Sequence, residues 1–419
     1  MLRRIALLSV HTCPLAVLGG KKTGGMNVYV RELSRELGRR GIKVDVFTRS
    51  QNPCIPHVNE MLGENARVIH IPTGPEAPLD PDEVFPYLDE FVANVLAFAE
   101  RDNVHYDLVY SHYWLSGWAA QKLRAAWDVP VVQMFHTLGR MKARIAHEPA
   151  EGPVSTRVLT ETEIMTWADK VIAATPAERA QLLWLYRVRR GAIEVIPPGV
   201  DLVRFHPTDR EAALRAIGCP ASKKLLLFVG RIEPLKGIDT LFEALALLKR
   251  QFRDLPDDLV LSIIGGNPDA SDDPEMERLK ERCRVLGLAD RVVFLGAKDQ
   301  DVLNKYYAAA EALIMPSDYE SFGMVALEAM ACGTPVIASE VGGLAFLVQD
   351  GRNGYLVPVR EPAVLADRIR RLLQNPEKRA AMARYARLNA EGYGWPHIAN
   401  RLLAVFEELL PAEQAVVAT

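Results

Sequence analysis

The chain has few cysteines, and none stands in a pattern that binds a metal or builds a disulfide framework. Five are spread over 419 residues. They form no Cys-x-x-Cys pair, and no spacing joins them to histidines as zinc ligands. The sequence therefore argues against disulfide-rich secreted and zinc-binding classes, and a reducing cytoplasm is the expected location. The cysteines are Cys13, Cys54, Cys219, Cys283 and Cys332.

The chain also lacks an excess of one charge and any long apolar run. Its net charge is −3, from 50 basic and 53 acidic residues, without the basic block that a nucleic-acid partner favours. No stretch approaches the roughly 20 apolar residues of a membrane helix, and the run at 5–10 is too short for a signal peptide. We expect small-molecule ligands, no nucleic-acid partner and no integral membrane segment. A homodimer is left open.

Short apolar runs alternate with helical patterns through both halves, which is typical of parallel sheets covered by helices on both faces. The predicted fold class is α/β, with two doubly wound Rossmann-like domains. We place the domains at 1–198 and 199–394, with the join near Pro197-Pro198-Gly199. Whether the final helix, within 395–419, packs on the first domain stays open. The predicted strands are 4–10, 42–48, 67–71, 108–110, 129–135, 170–174 and 193–196, then 224–230, 259–264, 292–295, 312–315 and 335–338.

One segment, 320–328, sets two carboxylates eight positions apart around a helix entrance. We predict a helix at 322–331 with Ser321 as its N-cap. Its first turn would offer free N–H groups and about half a positive charge to a phosphate. Glu328 would lie about two turns inside, as a lone carboxylate among apolar residues, where a ribose diol would satisfy it. Glu320 would hold sugar hydroxyls. For a single glutamate, a solvated helix face is the commoner explanation.

Two cations follow the predicted strand 224–230, where ligands of open α/β sheets gather. Arg231 and Lys236 on one loop would neutralise a leaving diphosphate as its charge builds. For an isolated pair, a solvated surface position is the commoner case. The strand-end position favours a functional role.

The glycine-rich stretch 19–25 is similar to a phosphate-binding P-loop but does not match it. Leu15 stands where the leading glycine belongs, and Lys22 where the closing serine or threonine belongs. Its last glycines would let the backbone approach a ligand, with Asn27 on the next helix. A plain strand-to-helix turn is the alternative.

His112 and His136 each follow an apolar strand and could face the same crevice, although a lone histidine is more often structural. Tyr113, Thr137 and Arg157 add polar groups for an acceptor. The sequence Asp80-Pro81-Asp82 is similar to a DxD metal motif. It is better explained as a helix start, with aspartate as N-cap and proline at the first position. We expect no required metal and no cofactor.

These motifs resemble those of the retaining glycosyltransferases of family four, over nearly the whole chain. ESFGMVALEAMACGTPVIAS and VGRIEPLKG carry the broad likeness. GGMNVYVREL, HYWLSGW and FHTLG are similar to two subgroups, one acting on inositol phosphate and one making sucrose phosphate. The resemblance implies the GT-B fold, in which two Rossmann-like domains face each other across a cleft. It also implies hexose transfer, with retention, from a nucleotide diphosphate sugar to a small polyol or sugar, with UDP the favoured nucleotide.

Residue roles carried over by the resemblance fall into three groups. The leaving phosphate would assist a front-face reaction without a covalent nucleophile. The first domain would bind the acceptor and the second the nucleotide sugar. The catalytic group is His136, Arg231, Lys236 and Glu320; the donor-binding group is Gly25, Lys298, Phe322, Gly323, Met324 and Glu328; the acceptor-binding group is Asn27, Tyr113, Thr137 and Arg157.

Two positions depart from the inositol-phosphate subgroup. Pro81 replaces a lysine that would hold the acceptor phosphate, which leaves open whether the acceptor is phosphorylated. Lys298 replaces an arginine and keeps its charge without the planar fork. Three other functions stay in view: a sucrose or sucrose-phosphate synthase, a catalytically silent sugar-nucleotide sensor, and a nucleotide-sugar epimerase.

Overall fold

The computed structural model describes residues 2–16, 24–145, 155–251, 258–268 and 273–411. These residues divide into two compact units. The first contains the described residues up to Ala16, Gly25–Pro197 and those from Trp395 to Pro411, leaving aside the gaps already given. The second contains Pro198–Gly394.

The first unit is built on an eight-stranded sheet within the described residues. Its strand order is β3-β4-β2-β1-β5-β6-β7-β8, and all neighbours pair in parallel except β3 with β4. The strands are β1 (Arg4–Leu8), β2 (Lys43–Arg49), β3 (Val58–Gly63), β4 (Ala66–Ile71), β5 (Leu108–His112), β6 (Val131–Met134), β7 (Lys170–Ala173) and β8 (Ile193–Val195).

Helices connect these strands in the order that the alternating pattern predicted. They are α1 (Gly25–Arg39), α2 (Pro81–Val84), α3 (Leu88–Arg101), α4 (Tyr113–Trp127), α5 (Gly139–Ile145), α6 (Thr156–Trp167) and α7 (Pro176–Tyr186), with 3₁₀ turns at Phe85–Tyr87 and Arg190–Ala192. The apolar stripe of α1 illustrates why they form: Val30, Leu33 and Leu37 repeat at helical spacing and are fully buried.

The second unit is a six-stranded parallel sheet in the portion of the chain that is described. Its strands are β9 (Lys224–Val229), β10 (Leu259–Ile264), β11 (Val292–Phe294), β12 (Ala312–Met315), β13 (Val336–Ser339) and β14 (Gly354–Val357). Its helices are α8 (Arg210–Ala216), α9 (Ile238–Gln251), α10 (Pro274–Val285), α11 (Gln300–Ala309), α12 (Met324–Ala331), α13 (Gly342–Leu347), α14 (Pro362–Gln374) and α15 (Pro376–Glu391), with a 3₁₀ turn at Pro234–Lys236.

The strand order of the second sheet is β11-β10-β9-β12-β13-β14. Numbered from its own first strand, this is the 3-2-1-4-5-6 order of the Rossmann fold. The first sheet reverses direction in the same way between β1 and β5. Ligands of such sheets bind beyond the carboxyl ends of the strands at this reversal. The loops after β1 and β5, and those after β9 and β12, are therefore the places to look for function.

The final helix, α16 (Trp395–Leu409), belongs to the first unit. The ring of Trp395 meets Tyr29 of α1 edge-on at 5.5 Å between centroids, and Phe406 meets Tyr110 of β5 at 5.3 Å. Arg40 donates to the Pro396 carbonyl at 2.8 Å. The helix thus completes the packing of a sheet that begins some 390 residues earlier.

Two strands escaped the sequence prediction. β3 is mostly exposed and pairs antiparallel at the sheet edge, so it carries no continuous apolar run. β14 has four residues and begins with Gly354, a residue that weakens a strand pattern. Among the residues described, no helix is long and apolar enough to cross a membrane.

Glu178 on α7 gives the fold a specific dependence on pH. It is buried and accepts a hydrogen bond from the Ala174 N–H at 2.6 Å. Burial raises the pKa of the Glu178 carboxyl from 4.5 to about 7. The folded protein therefore binds the Glu178 proton more tightly than the unfolded chain does. This protonation stabilises the fold at low pH, and its contribution to the free energy of unfolding is lost as pH rises from 4.5 through 7.

We expect Glu178→Gln to abolish this loss of stability with rising pH, because the amide of glutamine does not ionise. Relative to wild type, the variant should gain on the order of 3 kcal/mol between pH 4.5 and 8. Urea unfolding across this range measures the difference. Glu163→Gln, an exposed change on α6, is the control. Parallel pH profiles for wild type and Glu178→Gln would contradict the prediction.

Candidate functional site

The loops that follow β9 and β12 are packed directly against each other at the reversal point of the second sheet. The Asp318 N–H donates to the Leu235 carbonyl at 2.9 Å. Gly237 has a left-handed backbone (φ +67°), and a Cβ at this position would lie 2.0 Å from the Pro316 carbonyl oxygen. Only glycine permits this approach, so the two loops hold one fixed arrangement.

This packing brings together two of the predicted catalytic residues. Lys236 Nζ lies 2.6 Å from Glu320 Oε2, and the side chains are 17% and 15% exposed. Arg231 lies on the same loop as Lys236, more exposed, and pairs with Glu233 at 2.7 Å. The sequence analysis predicted that Lys236 binds a phosphate and Glu320 a sugar. It did not predict that the two side chains are in contact.

The helix after Glu320 begins two residues later than predicted, and Ser321 is not its cap. The prediction of a helix at 322–331 capped by Ser321 is wrong. Gly323 occupies the N-cap position of α12 with a left-handed backbone (φ +99°, ψ 52°), so the chain turns there and the helix starts at Met324. Phe322 precedes the turn and is buried. The first N–H groups of α12 still lack partners inside the helix.

A glycine pair that sequence reasoning missed supports this entrance. Gly343 donates its N–H to the Glu320 carbonyl at 3.0 Å. A Cβ on Gly343 would lie 2.1 Å from Phe322 Cα, and one on Gly342 would lie 2.0 Å from the Glu320 carbonyl oxygen. The two adjacent glycines after β13 were the available signal, since they mark close backbone approach.

Glu328 is buried within α12, as predicted, but it is not the lone carboxylate we expected. Gln300 donates to Oε1 and the Tyr307 hydroxyl donates to Oε2, both at 2.9 Å. Two residues of α11, far away in sequence, thus stabilise it. A carboxylate can accept about four hydrogen bonds, so these donors are compatible with a bound diol. Lys298 is half-buried just before α11.

In the first unit, Asn27 is fully buried in α1 and reaches the loop after β1. Its Nδ2 donates to Thr12 Oγ1 at 2.6 Å and to the Cys13 carbonyl at 2.8 Å. Gly25 is exposed at the start of α1. Residues 19–23 of the predicted glycine loop lie outside the described residues.

The two histidines predicted from their strand-end positions form a pair. His112 ends β5 and His136 follows β6, and His112 Nδ1 lies 3.0 Å from His136 Nε2. Burial lowers the pKa of His136 to about 3, with a further contribution from His11. Burial also lowers the pKa of His112 well below its usual range, and the neighbouring His136 lowers it further. Both rings are therefore neutral at neutral pH.

Arg157 contacts two of the other three predicted acceptor-binding residues, Tyr113 and Thr137. Arg157 donates to the Tyr113 hydroxyl at 3.2 Å and to the Thr137 hydroxyl at 3.0 Å and carbonyl at 2.6 Å. Its Nε donates to Glu161 at 2.7 Å. Arg157 thus fixes two hydroxyls at the carboxyl ends of β5 and β6. Both Tyr113 (φ +76°) and His136 (φ +60°) have left-handed backbones. Such strained positions in bulky residues cluster at functional sites.

His11 was missed and lies among these groups. Its ring centroid is 4.4 Å from that of Tyr113. It follows β1, the strand beside β5 in the sheet, so the missed signal was a third histidine after a neighbouring strand. Asp80 and Pro81 start α2 as expected, and the Asp80 N–H donates to the Glu83 carboxylate at 2.6 Å.

Comparison with known families covers most of the chain. The model for "Glycosyltransferase Family 4" matches residues 23–204, and the model for "Glycosyl transferases group 1" matches residues 209–389. The chain is 42% identical to a D-inositol 3-phosphate glycosyltransferase of Saccharomonospora viridis, over 98% of this chain and 95% of that protein. The corresponding protein of Actinosynnema mirum is also 42% identical, with 97% of each chain covered.

Solved structures show the same architecture. Sucrose-phosphate synthase from Thermosynechococcus elongatus superposes with a TM-score of 0.88 at 36% identity, covering 97% of this chain and 99% of that one. Anabaena HepE in complex with UDP-glucose has a TM-score of 0.74 at 21% identity, covering 97% and 100%, and supports the fold alone. The chain therefore belongs to glycosyltransferase family 4 and is a glycosyltransferase with the GT-B fold.

Proposed function

We propose that this glycosyltransferase transfers a hexose, with retention, from a nucleotide diphosphate sugar to a small phosphorylated polyol, with inositol phosphate first among acceptors and UDP-sugars first among donors. The observation that carries the donor half is the Lys236–Glu320 contact beside the start of α12. The acceptor assignment is supported by relatives named for D-inositol 3-phosphate that match nearly the whole chain.

The donor would bind to the second unit. Lys236 and Arg231 would hold the diphosphate, together with the N–H groups at the start of α12, whose dipole favours an anion. Glu320, paired with Lys236, would accept hydrogen bonds from sugar hydroxyls. Glu328 would hold the ribose, and Lys298 would lie near the base. Fixed side-chain cations would supply the positive charge that the leaving group needs, without a required divalent metal.

The acceptor would bind to the first unit, which α16 completes. Arg157 donates to the hydroxyls of both Tyr113 and Thr137 at adjacent strand ends. Such a cluster of one cation and two hydroxyl donors suits a phosphate group. Asn27 would contact the acceptor. Pro81 occupies the first turn of α2 and offers no charge, so the phosphate would depend on Arg157 more than in the inositol-phosphate subgroup.

Retention follows from the chemistry we propose for the leaving group. The acceptor hydroxyl would attack from the face that the diphosphate leaves, and a diphosphate oxygen would take its proton. His136 would lie against the transferred sugar. Its neutral imidazole is a poor base because burial holds its pKa near 3, which agrees with the phosphate acting as the base.

A second acceptor class has specific support. Sucrose-phosphate synthase matches the whole architecture at 36% identity and a TM-score of 0.88. Fructose 6-phosphate therefore stands beside inositol phosphate as a candidate acceptor, and both carry the phosphate that the Arg157 cluster would bind.

A donor-by-acceptor screen read by mass spectrometry tests the function. UDP-, GDP- and ADP-hexoses are each offered with inositol phosphate, inositol, fructose 6-phosphate and fructose. We expect a product with a phosphorylated acceptor, unchanged by a metal chelator. Nucleotide binding without transfer to any acceptor would instead support a silent sensor, and conversion of the donor alone would support an epimerase.

Lys236→Ala tests the donor half. Loss of the cation beside the diphosphate should lower kcat/KM for hexose transfer roughly 100-fold or more, as for other groups that stabilise a developing charge. Steady-state kinetics with the donor found in the screen measure this. Lys249→Ala removes an exposed lysine from α9 of the same unit and should leave the rate unchanged. Wild-type turnover by Lys236→Ala would remove the central support for the proposal.

Gly343→Ala tests whether the backbone contact at Phe322 positions the phosphate site. The added Cβ would meet Phe322 Cα and carbonyl oxygen at 2.1 and 2.2 Å. We expect nucleotide diphosphate affinity to fall about 10-fold, with a stability loss on the order of 2 kcal/mol from overpacking. Calorimetric titration measures binding. Gly392→Ala, where the nearest atom would be 3.7 Å away, is the matched control, and equal affinities for the two variants would refute the idea.

A further inference from the structure

The His112–His136 contact contains one proton whose location decides what His136 can offer a ligand. His112 Nδ1 and His136 Nε2 are 3.0 Å apart, and both rings are neutral. In a neutral pair, one nitrogen must donate and the other accept. If His112 donates, His136 carries its own proton on Nδ1. If His136 donates, its Nδ1 is bare.

The surroundings of His112 distinguish these two arrangements. Its Nε2 is enclosed and has no hydrogen-bond partner within the described residues. Aromatic rings surround it: Tyr110 lies 4.3 Å and Tyr29 5.4 Å away between centroids. The Tyr29 and Tyr110 hydroxyls are bonded to each other at 2.8 Å. Neither hydroxyl forms a hydrogen bond with Nε2 of the imidazole.

If His136 donated, His112 Nδ1 would accept, and the one ring hydrogen of His112 would be on Nε2, buried without an acceptor. Orphaned buried N–H groups are rare because they lose their bond to water and gain nothing. If His112 donates from Nδ1, the enclosed Nε2 carries a lone pair and no hydrogen. The enclosure therefore favours His112 as donor and His136 as acceptor.

We propose that His112 is a positioning residue that holds His136 in its Nδ1–H tautomer, so that His136 presents a hydrogen-bond donor, not a proton acceptor, to the bound sugar. The ligand part of this inference rests on the proposed function, which places His136 against the transferred hexose. His136 is half-buried, and the left-handed backbone (φ +60°) and the edge-on contact with Tyr29 at 5.3 Å hold its ring in place.

As a consequence, His136 and the leaving phosphate have different roles in the reaction. A neutral Nδ1–H group donates to a hydroxyl oxygen of the sugar and orients it. It does not take the proton of the acceptor hydroxyl, which goes to an oxygen of the leaving diphosphate. Hydrogen-bond donors of this kind orient a substrate without a change in their own charge.

The tautomer is measured directly in the wild-type protein without substrate. Protein labelled with ¹⁵N-histidine gives separate signals for protonated and unprotonated ring nitrogens in long-range ¹H–¹⁵N spectra. Signals lost in His136→Gln identify that ring. We expect a protonated Nδ1 and an unprotonated Nε2 at neutral pH. A protonated Nε2 in His136 would overturn the inference, whatever reaction the enzyme catalyses.

Two variants test the positioning role in catalysis. His112→Asn keeps a donor near the place of Nδ1 and should retain hexose transfer within about 2-fold, with the His136 tautomer unchanged. His112→Leu removes the donor and should lower kcat roughly 3- to 10-fold, the worth of one hydrogen bond, with less change in KM. Its His136 signals should shift toward a protonated Nε2.

The control is His105→Leu, an exposed histidine before the same strand, which should change neither signal nor rate. Equal losses in the asparagine and leucine variants, or wild-type turnover by His112→Leu, would overturn the positioning role. If no acceptor receives a hexose at all, the proposed function fails, while the ¹⁵N spectra still decide the tautomer.

Discussion

The backbone contact between the loops after β9 and β12 is the constraint on which the candidate donor site depends. Gly237 lies so close to the Pro316 carbonyl that a methyl group would not fit. The Asp318–Leu235 hydrogen bond holds the same two loops. This packing brings the loop of Lys236 next to the loop of Glu320, and the two side chains pair at 2.6 Å. A cation held by backbone geometry does not need to reorganise when charge develops next to it.

The first unit reaches a comparable rigidity by different means. Its strand ends are held by side chains: Arg157 connects the loop after β6 to the start of α4, and the imidazole pair connects β5 to the same loop. Left-handed backbones at Tyr113 and His136 cost free energy, on the order of 1 to 3 kcal/mol each. The surrounding contacts must offset this cost, so the two residues and the clamp are coupled.

Much of the fold could be read from the sequence because parallel strands buried on both faces appear as plain apolar runs. Strands at 259–264 and 312–315 were predicted to the residue. The edge strand β3 has no such run, because most of its residues face solvent. The start of α12 was missed because a serine before a helical pattern is a good cap in general. In the structure Gly323 turns the chain first, and a Cβ there would lie 2.7 Å from Leu344, a contact with no local signal in the sequence.

The candidate site was predictable to the extent that function lies at strand ends. That rule singled out Arg231, Lys236, His112 and His136. The rule does not predict which of these side chains are in contact with one another. Gln300 and Tyr307 stabilise Glu328 from a helix about 20 to 30 positions away, and only the folded chain shows that contact.

Because α16 belongs to the first unit, the chain cannot be separated into its two units by a single cut. The chain leaves that unit at Pro197 and re-enters it at Trp395, so the unit is discontinuous in sequence. The two family matches end at residue 389 and do not include the returning helix. A fragment cut at the Pro197–Pro198 boundary would expose Tyr29 and Tyr110 where Trp395 and Phe406 cover them. A chimaeric protein that exchanges one unit with a relative therefore needs two crossover points instead of one.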